Sequence, residues 1–282
     1  MEVLIATGVR ADEAPRLADV ATWLPGAAGL IAAARAELPQ KNGLCGPFTA
    51  LAALRAAGFA VADQDEVALA AGSVDHEGGP PSWPEGERGR ADFRVRLPAS
   101  ADPDASGTSA AGVALAVERL SGGALAAVPA SGDWTPDAVQ RLLTGLGRLD
   151  GVAVIANVAT AEFGAHDTPE RALWDYLDGG LPPLWSSRWR VGHFVLLTGL
   201  VTGSGGAVVS VMDTYPSLGD NGLHWQTVER VAAALNRDGM TPGGVLAVVA
   251  DGDAAAARRA VTVAGLRQRL WDNGSPAPES AG

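Results

Sequence analysis

The sequence predicts an α+β protein with a helical N-terminal half and an antiparallel sheet in the C-terminal half. Two observations lead to this fold class. Stretches rich in strong helix formers dominate as far as residue 150, and continuous β-branched runs follow from residue 151. Because the helices come first and the strands later, the pattern argues against alternating βαβ units and a parallel sheet.

The domain organisation follows from length and composition. With 282 residues, of which 47% are hydrophobic, the chain has enough apolar side chains for one large core. We predict a single domain over residues 1–271, with a helical part over about residues 1–150 and a sheet part over about 151–271. Residues 272–282, rich in Gly, Pro and Ser, are expected to form a disordered tail.

The helical half begins with an alanine-rich helix over residues 26–38, which Pro39 ends because the residue before a proline avoids the helical region. A second helix starts close to Cys45 and ends before Gly58. Pro47 belongs to its first turn, where the missing N–H costs no hydrogen bond. Apolar residues cover much of its surface, which indicates a helix inside the core. Further helices are predicted over residues 63–72, 109–120 and 135–149.

The sheet half begins with the β-branched run at residues 151–160, which predicts a buried strand. Two further strands, at residues 189–201 and 206–215, are joined by the turn sequence TGSGG and form a hairpin. A helix at residues 227–236, a strand at 243–250 and a last helix at 253–271 follow. Residues 73–108 and 161–190, rich in Gly and Pro, are predicted to be long insertions.

Charge and composition exclude several classes of partner. Acidic residues outnumber basic ones by 32 to 21, for a net charge of −11, so nucleic acid and anionic membrane surfaces would be repelled on average. No apolar run approaches the length of about 18 residues that a membrane helix needs, and the start MEVLIATGVRADEAPR lacks the features of a secretory signal. One cysteine fits a reducing compartment, so we expect a cytoplasmic protein. The sequence makes no prediction of oligomeric state.

The only cysteine, Cys45, stands where the second helix begins. A helix N-terminus presents free N–H groups and a partial positive charge, which lower the pKa of a thiol and make it a better nucleophile. A lone cysteine is also a common small buried hydrophobe, so position alone does not assign the role. Gln40, on the loop ahead of the helix, would donate to a developing oxyanion together with the Cys45 N–H, each donor contributing about 3 kcal/mol.

The predicted hairpin carries a histidine and an acid. His193 and Asp213 stand symmetrically about Gly203 in the turn. Residues equidistant from the turn face each other across an antiparallel hairpin, with β-carbons about 5 Å apart. A carboxylate beside the imidazole would fix its tautomer and hold its charged form. A core histidine and a strand-end cap are the alternative roles of these two residues.

Three motifs, PQKNGLCGPFTALAAL, GHFVLLTG and VMDTYPSLG, resemble in chain order those of the papain-like cysteine protease superfamily, in particular its bacteriocin-processing double-glycine peptidases. The resemblance implies a papain-like fold, in which the nucleophile helix packs on the antiparallel sheet. It also implies Cys45 as nucleophile, His193 as general base and acid, Asp213 as its orienting residue and Gln40 as oxyanion donor. The chain departs from the pattern at Leu44, where double-glycine peptidases usually carry an acid.

These residues predict a cysteine-dependent acyl-transfer enzyme, first a peptidase or amidase that cleaves an amide through a thioester intermediate. One alternative is a papain-like acyltransferase or ligase that passes an acyl group to an amine in bacterial natural-product biosynthesis. The other is a non-catalytic binding module on the same fold. The expected partner is a peptide or a small-molecule acyl donor, with a carrier protein as a further candidate. With no zinc-type Cys/His spacing, neither a metal nor an organic cofactor is predicted.

Five other residues have weaker assignments. Trp185 and Trp189, which precede the hairpin histidine, are candidates for the wall of a substrate cleft, with plain packing as the alternative. Asn42 is a candidate substrate contact at the oxyanion site, or it shapes the turn before the helix. His224 is expected at the surface or as a cap, in a loop that leads into a helix. Lys41, the only lysine, is expected to be solvated.

Overall fold

The computed structural model of the chain describes residues 15–77 and 82–278. Its helices are α1 (Leu17–Val20), α2 (Ala27–Glu37), α3 (Cys45–Ala56), α4 (Gln64–Ala71), α5 (Ala110–Leu120), α6 (Pro136–Leu146), α7 (Glu170–Leu177), α8 (Val228–Asn236) and α9 (Ala254–Val263). Its strands are β1 (Thr22–Trp23), β2 (Asp75–His76), β3 (Ala99–Ser100), β4 (Leu125–Ala130), β5 (Ala153–Ala159), β6 (Gly192–Thr202), β7 (Ala207–Met212), β8 (Leu223–Thr227) and β9 (Gly244–Ala250).

One antiparallel sheet organises the protein. Its strand order is β4-β9-β5-β6-β7-β8, and β1 pairs with the outer part of β6. The short strands β2 and β3 form a separate parallel pair within the insertion at residues 73–108. The mixture of helices with an antiparallel sheet confirms the predicted α+β class.

Helices cover both faces of this sheet. Along β5, Val154 and Ala156 belong to the core formed with α6, α8 and α9, whereas Ala153 and Ile155 belong to the core formed with α2, α3, α4 and α5. Because both faces of the strand are buried, its sequence is a continuous apolar run and does not alternate. The helix that begins at Cys45 is packed against β6 from one of these layers.

Several elements differ from their prediction. The strand β4 lies within the half predicted to be helical, and its alanines and Pro129 hid it because both residue types are rare in strands. Its position at the edge of the sheet tolerates the proline. The insertion at residues 161–190 contains the unpredicted helix α7. The last helix ends at Val263, well before residue 271, because Gly265 adopts a left-handed conformation with φ of 81°.

Residues 272–278, which belong to the tail predicted to be disordered, run back against the protein. Asn273 Nδ2 donates to the Thr108 carbonyl at 3.0 Å, and Pro278 contacts Gly72. A side-chain amide thus gives this polar segment an anchor that composition does not reveal. Residues 279–282 and residues 1–14, on which the expectation of no secretory signal depends, lie outside the described residues. Within the described residues, each helix is too short or too polar to cross a membrane.

Candidate functional site

Cys45 is the first residue of α3, as predicted, and lies beside a small cavity of about 250 Å³. No side chain of the described residues caps this helix end, so the N–H groups of the first turn remain available to another acceptor. The next residue is Gly46, where a Cβ would lie 2.9 Å from Val113 Cγ2. The glycine therefore allows α3 to approach α5 closely and fixes the place of the sulfur.

His193 and Asp213 meet, although the predicted register between them is wrong. His193 Nε2 lies 3.0 Å from Asp213 Oδ1, and both side chains are buried. The strands pair Leu196 with Met212, whereas symmetry about Gly203 would pair Leu196 with Ser210. The turn is centred after Gly203, which shifts the pairing of the two strands. A bulge in β6 adds one residue to that strand and reduces this shift. Because the net shift is an even number of residues, the side chains keep their face and meet diagonally.

The charges of this pair and of Cys45 depend on one another. Burial alone would raise the pKa of Asp213, but contacts with the histidines around it hold that pKa well below its usual range. Burial would lower the pKa of His193, but Asp213, with a further contribution from Cys45, raises it from 6.5 to about 9. Burial would also raise the pKa of Cys45, but the contact with His193 and nearby backbone N–H groups lower it. These directions favour a thiolate beside an imidazolium at neutral pH.

Gln40 is joined to the acid by Thr214, a residue that the sequence analysis missed. Thr214 Oγ1 donates to Gln40 Oε1 at 2.7 Å, and the Gln40 N–H donates to the Thr214 carbonyl at 2.9 Å. Thr214 also donates its own N–H to Asp213 Oδ1 at 2.6 Å. Gln40 lines the cavity. Because its Oε1 accepts the hydrogen bond from this hydroxyl, its side-chain nitrogen is the atom that donates.

His224 is a second histidine at the acid, and its expected surface or capping role is wrong. It lies on β8 with 2% of its surface exposed, and its Nε2 lies 3.4 Å from Asp213 Oδ2. Gln226 exchanges two hydrogen bonds with the backbone of Gly164, which fixes its amide, and its Nε2 donates to His224 Nδ1 at 3.1 Å. His224 therefore carries its proton on Nε2 and donates it to the carboxylate.

His166 completes a group that has ligand types for a metal. Three possible ligand atoms, one from each of His166, Asp213 and His224, all lie within 4.8 Å of one another. Burial lowers the pKa of His166 to about 3, so the ring is neutral near pH 7. Two imidazoles and a carboxylate suit Zn²⁺ or a related transition ion. The sequence, which predicts no metal, does not bring these three residues together.

The two tryptophans occupy different places. Trp189 is buried and its ring meets the edge of His193, with centroids 4.7 Å apart, so it forms part of the cavity wall. Trp185 is 56% exposed and lines a neighbouring cavity of about 570 Å³, which Trp189 also borders. Asn42 does not line the cavity beside Cys45. It lies in the turn before α3, and its Oδ1 lies against Gly89.

Lys41 is fully buried, so the expectation of a solvated side chain is wrong. Its Nζ lies 2.8 Å from Asp65 Oδ1 and 3.6 Å from Asp63 Oδ2, and it donates to the Asp92 carbonyl at 3.0 Å. Its backbone N–H donates to Gln64 at 2.7 Å. The lysine thus ties the loop that carries Gln40 to the start of α4, and its role is to hold that loop in place.

Comparisons with known proteins give a family and no individual relative. No curated protein matches the chain, and no solved structure matches it either. A family model matches residues 24–272, a range that contains Gln40, Cys45, His193 and Asp213. That model describes a family of unknown function, DUF6885, and the chain belongs to this family.

Proposed function

We propose that the protein is a cysteine-dependent acyl-transfer enzyme of the papain-like type, acting as a peptidase or amidase. The observation that carries the proposal is the buried His193–Asp213 pair beside a sulfur at a helix N-terminus, with charges that favour thiolate and imidazolium. The chain order of Gln40, Cys45, His193 and Asp213, which resembles that of the papain-like superfamily, supports it further.

In the first half of the reaction, the Cys45 thiolate attacks the carbonyl carbon of an amide. A C–S bond forms while the carbonyl electrons move to the oxygen, to which the Gln40 amide and the Cys45 N–H donate. When these electrons return, the C–N bond breaks and His193 gives its proton to the leaving nitrogen. A free amine departs, and the acyl group remains on the sulfur as a thioester.

In the second half, water attacks the thioester. The neutral His193 takes a proton from the water, the C–S bond breaks, and the acyl group leaves as an acid. The thiolate and the imidazolium are then restored. An amine in place of water would give a new amide, so the acyltransferase alternative shares the first half of the reaction and differs only in the acceptor.

Alkylation by iodoacetamide tests the first step, because the thiolate displaces iodide and Cys45 is the only cysteine. At about pH 6 the protein should react about 100-fold faster than a small thiol, whose pKa of about 8.5 leaves little thiolate. His193→Ala should remove this excess. His76→Ala is the matched control, since His76 lies outside the cavity lining, and it should react like the wild type.

A wild-type rate no greater than that of the small thiol would refute an activated nucleophile and favour the binding-module alternative. If the thiolate is active, mass spectrometry of peptides and small amides incubated with the protein identifies the acceptor. Products that contain an added amine indicate transfer, and products that contain only water indicate hydrolysis. Cys45→Ser should abolish both kinds of product, and persistence of either in that variant would place the chemistry elsewhere.

A further inference from the structure

Arg237 brings a buried positive charge into the wall of the Cys45 cavity. It follows α8, has 2% of its surface exposed, and lines the cavity together with Cys45 and His193. Its backbone is left-handed, with φ of 53°, which is uncommon for a residue other than glycine. The proposed reaction steps do not use this charge.

The guanidinium is only partly satisfied by the protein. Nη1 donates to Asn157 Oδ1 at 2.8 Å, and Nη2 reaches the weak acceptor Met240 Sδ at 3.6 Å. Nε is buried and has no hydrogen-bond partner among the described residues. Nη2 lies close to Gly192, the residue directly before His193. A Cβ at this glycine would come within 2.7 Å of Nη2.

Among the described residues, Arg237 also has no carboxylate within ion-pair distance. Over residues 15–77 and 82–278, the other buried aspartate, glutamate and lysine side chains have oppositely charged partners within 4.0 Å: Glu37 with Arg55, Lys41 with Asp63 and Asp65, and Asp213 with His193. No carboxylate in those ranges lies as close to Arg237. Burial lowers the pKa of Arg237, and the charge of Cys45 acts against this. A buried cation with no anion hydrogen-bonded to it among the described residues is costly, so an anionic partner is expected from a molecule in the cavity.

We propose, on the basis of the proposed function, that Arg237 binds a carboxylate of the substrate close to the scissile carbonyl. The planar guanidinium offers two parallel donors that match a carboxylate. Since the cavity measures only about 250 Å³, the carboxylate and the carbonyl at Cys45 belong to neighbouring parts of one molecule. A free C-terminal carboxylate next to the scissile amide and an acidic side chain beside it both supply this chemistry.

A pair of alkylating reagents that differ only in charge tests the inference. Iodoacetate and iodoacetamide both alkylate a thiolate, and only iodoacetate carries a carboxylate. The ratio of their rates at Cys45 should exceed that of a small thiol by about tenfold or more, the effect of one charge-assisted hydrogen bond. Reagents with one more methylene extend the reach. Arg237→Gln, which keeps a donor for Asn157, should remove the preference, and Arg237→Lys should keep part of it.

Arg188→Gln is the matched control, because Arg188 is exposed at the neighbouring cavity, and it should leave the ratio unchanged. A wild-type ratio equal to that of the small thiol, or a ratio that Arg237→Gln does not change, would overturn the inference. In either case fast reaction with iodoacetamide would leave the proposed function standing. Slow reaction with both reagents would instead refute the activated thiolate.

Binding to the wild-type protein needs neither a variant nor a reactive thiol. N-acetylglycine should bind and N-acetylglycinamide should not. Binding can be followed by calorimetry or by the fluorescence of Trp189, which lines the cavity, and of Trp271, whose Nε1 donates to the same Asn157 oxygen as Arg237 at 3.1 Å. Equal affinity for the two compounds would overturn the inference. Peptides with a free or amidated C-terminus, and with or without an acidic side chain, then identify the source of the carboxylate.

Discussion

Asp213→Asn gives a direct measure of how strongly the acid holds His193 in its charged form. The rise in the pKa of His193 from 6.5 to about 9 corresponds to about 3 kcal/mol of preference for the imidazolium. Asparagine fills nearly the same volume and still accepts a hydrogen bond, but it carries no charge. Since burial by itself lowers the pKa of His193, the ring should be neutral near pH 7 in the variant.

A neutral ring no longer stabilises the thiolate, and burial then raises the pKa of Cys45. The fraction of Cys45 present as thiolate at about pH 6 should therefore fall by about 100-fold, which is the factor that about 3 kcal/mol represents. The assay is the iodoacetamide rate from about pH 5 to pH 9, read as the mass of the intact protein. The Asp213→Asn rate should rise steadily with pH across this range, and the wild-type rate should change less, because the pKa of Cys45 is lowered in the wild type.

Asp137→Asn is the control, because Asp137 is exposed and its one charged partner in the described part of the chain is Arg141, on the surface of α6. Circular dichroism and a urea transition establish that both variants are folded. If Asp213→Asn reacts at about pH 6 within threefold of the wild type, the acid does not set the charge of the ring. The thiolate would then depend on the helix N-terminus alone.

Three further outcomes are expected. Turnover by the proposed reaction should decline as pH rises through about 9, because His193 then loses the proton that it would give to the leaving group; activity that stays level to pH 10 would contradict this. Lys41→Met should destabilise the fold by about 3–5 kcal/mol in urea titrations, since it leaves Asp65 buried without its cation, and a loss under about 1 kcal/mol would show that the pair contributes little. Gly46→Ala should cost about 1–3 kcal/mol through the clash with α5, while Gly29→Ala, on an open helix surface, should stabilise by about 0.5–1 kcal/mol; equal effects of the two would exclude the clash.

Local chemistry explains which parts of the site can be predicted from the sequence. A helix that begins at Cys45 follows from a proline in its first turn and a glycine after its end, both of which act over a few residues. The approach of His193 to Asp213 follows from the closure of one hairpin. The exact pairing does not follow, because a bulge in β6 has no signature in the sequence.

His224 shows why another part of the site escaped prediction. In β8 the polar residues His224 and Gln226 are buried, whereas Leu223 before them and Trp225 between them are partly exposed. This pattern is the reverse of the usual strand, so apolar periodicity assigns the segment to a loop. The spacing of His224 and Gln226 by two residues was the available signal, because it places both side chains on one face of a strand.

The sequence does not distinguish the environments of Arg237 and Lys41, since each is one cation among polar neighbours. The structure separates them through tertiary contacts. Lys41 meets two aspartates at the start of α4, whereas Arg237 meets an amide oxygen and a thioether. Whether a buried cation is neutralised depends on which distant segment lies beside it, and this is the information that composition and spacing lack.

The acid at Asp213 acts as the fixed point of the site, and this explains why the site tolerates an imperfect register. Its carboxylate is fully buried. It is hydrogen-bonded to the ring of His193, the N–H of Thr214 and the ring of His224. A buried carboxylate is costly unless several donors satisfy it, so these contacts hold each other in place cooperatively. Thr214 extends the network to Gln40 and so joins the loop before α3 to the end of β7. The relative positions of Gln40, His193 and the loop before α3 therefore depend on one hydrogen-bonded network more than on strand pairing.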